Sequence, residues 1–331
     1  MRSFPASVSS LLLLFCAAGC FAVGGCAVDG NDDEDENVAS DDGDGAQTEE
    51  LVGEHQLTGS ELPNKTIALT FDDGPGPRTE ELATFLASKG IKATFFINGK
   101  NTAGRDKALE AVIANHHILG NHTQNHLQLT KLSADKVVSE VKATDDVIKK
   151  YQPDGPWLIR APFGAWNGST ARAINATAMK KYTGSIFWNE GGVLTDHAAA
   201  DWDCWGKGVS VKRCGELYLE EMRKNGKGIS LMHDIHGKTI DMVKTVIVPT
   251  LIAEGWKFAT LPEVPAIQRA MSGDPGPSTS DACHSATLGR VVPENTCVQA
   301  RSDSKWYRCI DGDWNLTNSS DTKCIGKFPL N

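Results

Sequence analysis

Along the middle of the chain, short apolar runs alternate with longer stretches whose apolar positions recur every three or four residues. Ile67-Ala68-Leu69-Thr70-Phe71, closed by Gly74-Pro75-Gly76-Pro77, reads as a buried strand. Thr79 to Lys89 places Leu82, Phe85 and Leu86 on one helical face, and Gly90 ends it. Ala93 to Ile97 predicts a strand, Lys107 to Asn115 a helix and His117 to Gly120 a strand. Ser133 to Tyr151 predicts a long helix with Ser133 as its N-cap and Val137, Val141 and Ile148 aligned. Trp157-Leu158-Ile159 reads as a strand, Thr170 to Tyr182 as a helix and Ser185 to Trp188 as a strand, with an irregular segment as far as Gly208. Helix, strand and helix follow at Lys212 to Lys224, Gly228 to Met232 and Ile240 to Glu254, and Lys257-Phe258-Ala259 closes the series. Repeated βα units imply parallel strands with helices outside, and about 200 residues fits one α/β domain of barrel-like build.

The two ends of the chain read differently. Arg2 and an apolar core from Leu11 to Val23 have the pattern of a secretory signal over 1–26, too short for a comfortable bilayer span. Val23-Gly24-Gly25-Cys26 resembles a lipoprotein processing box with Cys26 as the lipidated residue; Cys20 is a second candidate, and cleavage without a lipid is the alternative. Residues 27–61 open with a polar, acidic stretch unable to bury enough apolar surface to offset ordering, so they are expected to form a disordered tether. Of the 42 acidic residues, 11 lie between Asp29 and Glu50, and the others nearly balance the 33 basic ones, so nothing argues for a nucleic-acid partner. The main domain is expected over 62–266, a Pro/Gly/Ser-rich linker over 267–282, a four-cysteine module over 283–324 and a tail over 325–331.

The reactive-looking residues follow the strands. Asp72 and Asp73 leave the first strand, His122 and His126 follow the strand ending at Leu119, Arg160 follows Ile159, and His233 follows Met232. In a parallel α/β fold those positions converge on one end of the sheet. Like charges at the mouth of an apolar strand are costly unless a cation or a reaction needs them, although a solvated Asp-Gly turn is the plain alternative. His122-Thr123-Gln124-Asn125-His126 puts two imidazoles one helical turn apart, and with a carboxylate they would suit a divalent ion.

Thr70-Phe71-Asp72-Asp73-Gly74, His122-Thr123-Gln124-Asn125-His126, Arg160-Ala161-Pro162-Phe163-Gly164 and Leu231-Met232-His233-Asp234, in this order over about residues 64 to 265, resemble the motifs of the polysaccharide deacetylases, the NodB-homology domains of carbohydrate esterase family four. The resemblance implies a distorted (β/α) barrel of seven or eight strands. It also implies a divalent metal, zinc first and cobalt second, held by Asp73, His122 and His126. It makes Asp72 the base, oriented by Arg160, and His233 the acid. The backbone N–H of Phe163, standing where the family has Tyr, would hold the oxyanion; Leu231 would line the acetyl pocket, or be a plain core leucine. The family's Asp-Trp pair fits Asp201-Trp202, with Trp202 at the substrate and Asp201 tuning His233, while Asp203 is the alternative.

Six cysteines lie beyond the leader: Cys204, Cys214, Cys283, Cys297, Cys309 and Cys324. An even number with an export signal reads as disulfides, with Cys204–Cys214 close in sequence and three pairings open for the other four. Trp306, Tyr307 and Trp314 would either face sugar rings or form the small core of the tail. The reading is therefore an exported enzyme, monomeric, that removes acetyl groups from an N-acetylated polysaccharide and meets a membrane only through a lipid anchor. An O-acetyl esterase acting on a polymer such as acetylxylan, and a glycan-binding protein without turnover, are the alternatives.

Overall fold

The computed structural model describes residues 52–194, 198–273, 283–285, 290–292, 295–300, 303–310, 313–324 and 326–329. The signal, Cys20, Cys26, the acidic stretch as far as residue 51 and linker residues 274–282 lie outside them.

The main domain runs β1 (Val52–Leu57), β2 (Thr66–Asp72), α1 (Thr79–Ser88), β3 (Thr94–Ile97), α2 (Asp106–Ala114), β4 (Ile118–Asn121), α3 (Ala134–Tyr151), α4 (Gly168–Asn175), β5 (Gly184–Ile186), α5 (Asp201–Gly206), α6 (Val211–Asn225), β6 (Lys227–His233), α7 (Gly237–Met242), α8 (Val248–Ala253), β7 (Lys257–Phe258) and α9 (Pro265–Met271). A π-helical turn, Val243–Ile247, joins α7 to α8. Strands β4, β3, β2 and β6 lie side by side and parallel, and β7 pairs with β2. Single parallel bridges carry the ladder on, from Asn121 to Ile159, Leu158 to Thr183 and Glu190 to Ser230. The fold is α/β with a parallel sheet, as expected; past β4 the pairing continues as these bridges and not as continuous strands.

Strand alternation sorts the residues of β2. Ile67, Leu69 and Phe71 face the outer layer with Leu82 and Leu86 of α1, Phe95 of β3 and Met222 of α6. Full burial of each large apolar side chain contributes about 1.5–3 kcal/mol. Ala68 belongs instead to the inner cluster with Phe96, Leu158, Ile186 and Ile229. Thr70 and Asp72 share its parity and therefore its face. The register pairs Thr70 with Leu231 and Asp72 with His233.

Several expectations change. The stretch 157–159 makes isolated bridges, since Pro156 and Pro162 close it on both sides. The helix expected to end at Tyr182 stops at Asn175, capped at its start by the Asn167 side chain on Thr170 N–H, and a 3₁₀ turn, Ala178–Lys181, follows. Residues 52–57 of the supposed tether form β1, paired with β5, and Leu57 packs against the inner cluster. At the other boundary, α9 reaches Met271, inside the supposed linker.

The C-terminal residues form two small sheets, β8 (Cys283–Ser285) with β9 (Arg290–Val292), and β10 (Thr296–Gln299), β11 (Trp306–Ile310), β12 (Asp313–Thr317) and β13 (Gly326–Phe328) in the order β12-β11-β10-β13. Disulfides join Cys283 to Cys309 and Cys297 to Cys324, choosing one of the three open pairings, while Cys204–Cys214 ties α5 to α6. Trp314 packs partly buried on Cys283, Val292 and Cys309, so it serves the core. Three disulfides are the usage expected of a chain that folds in an oxidising compartment.

Candidate active site

Asp72 ends β2 on the inner face, 2% exposed. Its Oδ1 accepts a hydrogen bond from Arg160 Nη1 at 2.7 Å. Arg160 is wholly buried; Nη1 also donates to Thr70 Oγ1 at 2.7 Å, Nε donates to the Ile186 carbonyl at 3.1 Å, and the guanidinium lies 4.3 Å from the Phe96 ring. The Thr70 hydroxyl in turn donates a hydrogen bond to the Ser230 carbonyl. Burial raises the Asp72 pKa, and the Arg160 charge opposes that rise.

The chain then turns left-handed at Asp73, φ 71°. Its Oδ1 stands 3.6 Å from His122 Nε2 and 3.3 Å from His126 Nε2, buried and without a hydrogen-bond donor. Burial drives the His122 pKa down to about 3 and lowers that of His126, so both rings are neutral. His122 Nδ1 lies 2.8 Å from the Arg160 carbonyl, which only accepts; that nitrogen therefore carries the proton, and the Nε2 lone pair faces Asp73. Two tetrahedral ligands about 2.0–2.1 Å from zinc stand roughly 3.3 Å apart, so the trio's spacing and its orphaned oxygen suit a divalent cation. Asp73, His122 and His126 are a candidate metal site among the described residues.

The imidazoles do not reach this geometry through a helix. Residues 122–126 are a loop, with positive φ at Thr123 (68°) and His126 (59°), which corrects the helical-turn expectation.

Beside Asp72, His233 Nδ1 lies 2.7 Å from Asp201 Oδ1, and the His233 backbone N–H donates to Asp201 Oδ2 at 2.8 Å. Burial disfavours the imidazolium, but the charge and hydrogen bond of Asp201, with the charges of Asp72 and Asp73, outweigh it and push the His233 pKa up to about 9. Asp201 opens α5 and is buried; Asp203 points to Lys207 and to the Ala199 N–H. The geometry thus puts Asp201, not Asp203, on His233. Phe163, at φ 61° and 67% exposed, sets its ring 4.5 Å from that of His126. Trp202 is 51% exposed beside Asp201, and Leu231 is buried on the inner face.

Three supports escaped the sequence reading. Thr239 Oγ1 donates to Asp201 Oδ2 at 2.6 Å, while the Tyr218 hydroxyl accepts from Asp201 N–H at 3.0 Å and donates to the Leu231 carbonyl at 2.8 Å. Thr70 is the third, and its strand parity with Asp72 was the available signal. Hydroxyls on α6 and α7 carry no such mark.

Comparison with known proteins bears on the whole arrangement. Residues 59–182 match the family model described as polysaccharide deacetylase. A chitin deacetylase of Arthroderma benhamiae is 28% identical over 204 residues, 60% of this chain and 52% of that protein. A peptidoglycan-N-acetylglucosamine deacetylase of Bacillus cereus is 29% identical over 62% of this chain and 91% of its own. The catalytic domain of a peptidoglycan N-acetylglucosamine deacetylase from Eubacterium rectale superposes with a TM-score of 0.51 at 21% identity, covering 62% of this chain and 92% of that one, and so shares the fold. The chain spans about half the length of the Arthroderma protein. These matches, together with the geometry of the site, make the main domain similar to the polysaccharide deacetylases, the family model itself spanning residues 59–182.

Proposed function

We propose that this protein is a metal-dependent hydrolase that removes acetyl groups from an N-acetylated polysaccharide of the chitin, peptidoglycan or poly-N-acetylglucosamine kind. One observation carries the reading: the orphaned Asp73 oxygen among two neutral imidazoles, with the buried Asp72 carboxylate beside them and the His233 imidazole paired with Asp72 in strand register. The relatives are named for N-deacetylation of chitin and of peptidoglycan, which supports the same reaction class here.

Asp73, His122 and His126 would hold the cation, zinc by the donor set of one oxygen and two nitrogens. Bound there, it supplies Lewis acidity to a water and to the acetyl carbonyl. Asp72 takes a proton from the attacking water, held in orientation by Arg160. The Phe163 backbone N–H donates to the oxyanion as the carbonyl carbon becomes tetrahedral. His233, charged through Asp201, gives its proton to the departing sugar nitrogen, which leaves as an amine while acetate is released. Leu231 lines the acetyl methyl group, and Phe163 and Trp202 offer exposed rings to the sugar. The chain works as a monomer outside the cytoplasm, released or tethered by a lipid on Cys26.

Acetate release from chitin oligomers, peptidoglycan and acetylxylan, with and without zinc, tests the proposal. Zinc-dependent acetate together with new free amines on the first two supports it. Release from acetylxylan alone would make the protein an esterase, and glycan binding with no release from any polymer would end the enzymatic reading.

A further inference from the structure

The loop from His122 to His126 holds two residues at positive φ, a region side-chain-bearing residues rarely occupy, so its shape is imposed from outside. The segment after β3 restrains it: Asn98 Nδ2 donates to the His122 carbonyl at 2.7 Å and to that of Thr123 at 3.4 Å, Gly99 N–H to that of Thr123 at 3.1 Å, Lys100 N–H to that of Gln124 at 3.0 Å and Lys100 Nζ to that of Asn125 at 3.3 Å. Further restraints come from α3. Glu140, 1% exposed, accepts the Asn125 N–H on Oε2 at 2.8 Å and the Asn125 side-chain amide on Oε1 at 2.9 Å. Its carbonyl accepts the Gln124 N–H at 3.0 Å. Lys136, one helical turn earlier, places Nζ 2.9 Å from Oε1 and balances the charge. Glu140 stands in mid-helix, outside every motif, yet it grips the residue next to His126.

We infer that Glu140 is a positioning residue for the metal centre: its carboxylate, holding both donors of Asn125, fixes the span between His122 and His126. The inference rests on the metal-dependent reading above. A carboxylate is required because both Asn125 groups donate; glutamine would turn its own amide N–H toward one of them.

The test uses the full chain, stripped of metal and titrated with zinc ions against a competing chelator, alongside the melting temperature of the metal-free protein. Glu140→Gln is expected to lower zinc affinity about 10- to 100-fold, the range for ligand-orienting partners. Asn125→Ala, at an exposed position, removes one of the two bonds and is expected to lower it about three- to tenfold. Because both act through one contact, the double variant should lose no more than Glu140→Gln alone. Zinc affinity unchanged in both variants, or a lower metal-free melting temperature with affinity intact, overturns the inference and leaves Glu140 a brace for α3. Failure of the wild type to take up zinc would instead remove the metal reading, and this inference with it.

Discussion

Asp201→Asn isolates the contribution of the buried carboxylate to the acid at the site. Asp201 Oδ2 accepts from both the His233 N–H and Thr239, and an asparagine oxygen can keep those two bonds. Its amide nitrogen then faces His233 Nδ1, which must become an acceptor, and the imidazolium loses its main support. The wild-type pKa of about 9 should fall to the ordinary 6.5 or below, because burial alone lowers it. At pH 8 an acid of pKa 9 is about nine-tenths protonated and one of pKa 6.5 about 3%, so protonation alone costs about 30-fold in turnover. At pH 6 a variant with a pKa of 6.5 is about three-quarters protonated and the deficit shrinks to less than about twofold from this cause. The assay is kcat against pH for both proteins with saturating zinc. The alkaline limb should move from near pH 9 to pH 6.5 or lower. A deficit of the same size at every pH, with the limb unmoved, would refute the account of His233 as an acid held charged by Asp201.

Asp72→Asn removes the proposed base and should lower kcat by about 10²–10⁴, with zinc still bound. It also strips the fully buried Arg160 of its carboxylate, so the variant should be about 3–5 kcal/mol less stable in denaturant titrations; wild-type turnover would contradict the base role. Glu190 is buried with neither carboxyl oxygen hydrogen-bonded, and burial, helped by the nearby Glu221 charge, pushes its pKa up to about 9 from 4.5. The unfolded chain ionises it more easily, so this group costs stability progressively as pH rises from 4.5 to 9. Glu190→Gln should therefore gain on the wild type by roughly 1.4 kcal/mol per pH unit across that window, and melting curves that stay parallel from pH 5 to 9 would contradict it.

The main elements of the site were legible because parallel pairing carries every strand's C-terminal end to the same edge. Asp72 and His233, far apart in sequence, become register partners at the last pair of β2 and β6. Local shape was harder to read. Two histidines at i and i+4 look the same on a helix and in a loop; here Asn98, Gly99, Lys100 and Glu140 impose the loop from other elements, and nothing within residues 122–126 announces it. The choice between Asp201 and Asp203 depended on where α5 begins, since the first and third positions of a short helix point in different directions. Only with Asp201 at its start does one carboxylate reach His233 while the other reaches Lys207. The tail pairing likewise needed the sheet, because four cysteines in a short segment fix no partner by themselves.

The central proposal is that one cation, held by Asp73, His122 and His126, is required for the deacetylation proposed for this chain. The most direct measurement is acetate release from an N-acetylglucosamine oligomer as metal-free protein is titrated with zinc. Activity should rise linearly and reach a plateau at about one equivalent, and His126→Ala should stay near the baseline throughout. Full acetate release by the metal-free wild type, or a His126→Ala variant that matches it, would contradict the account.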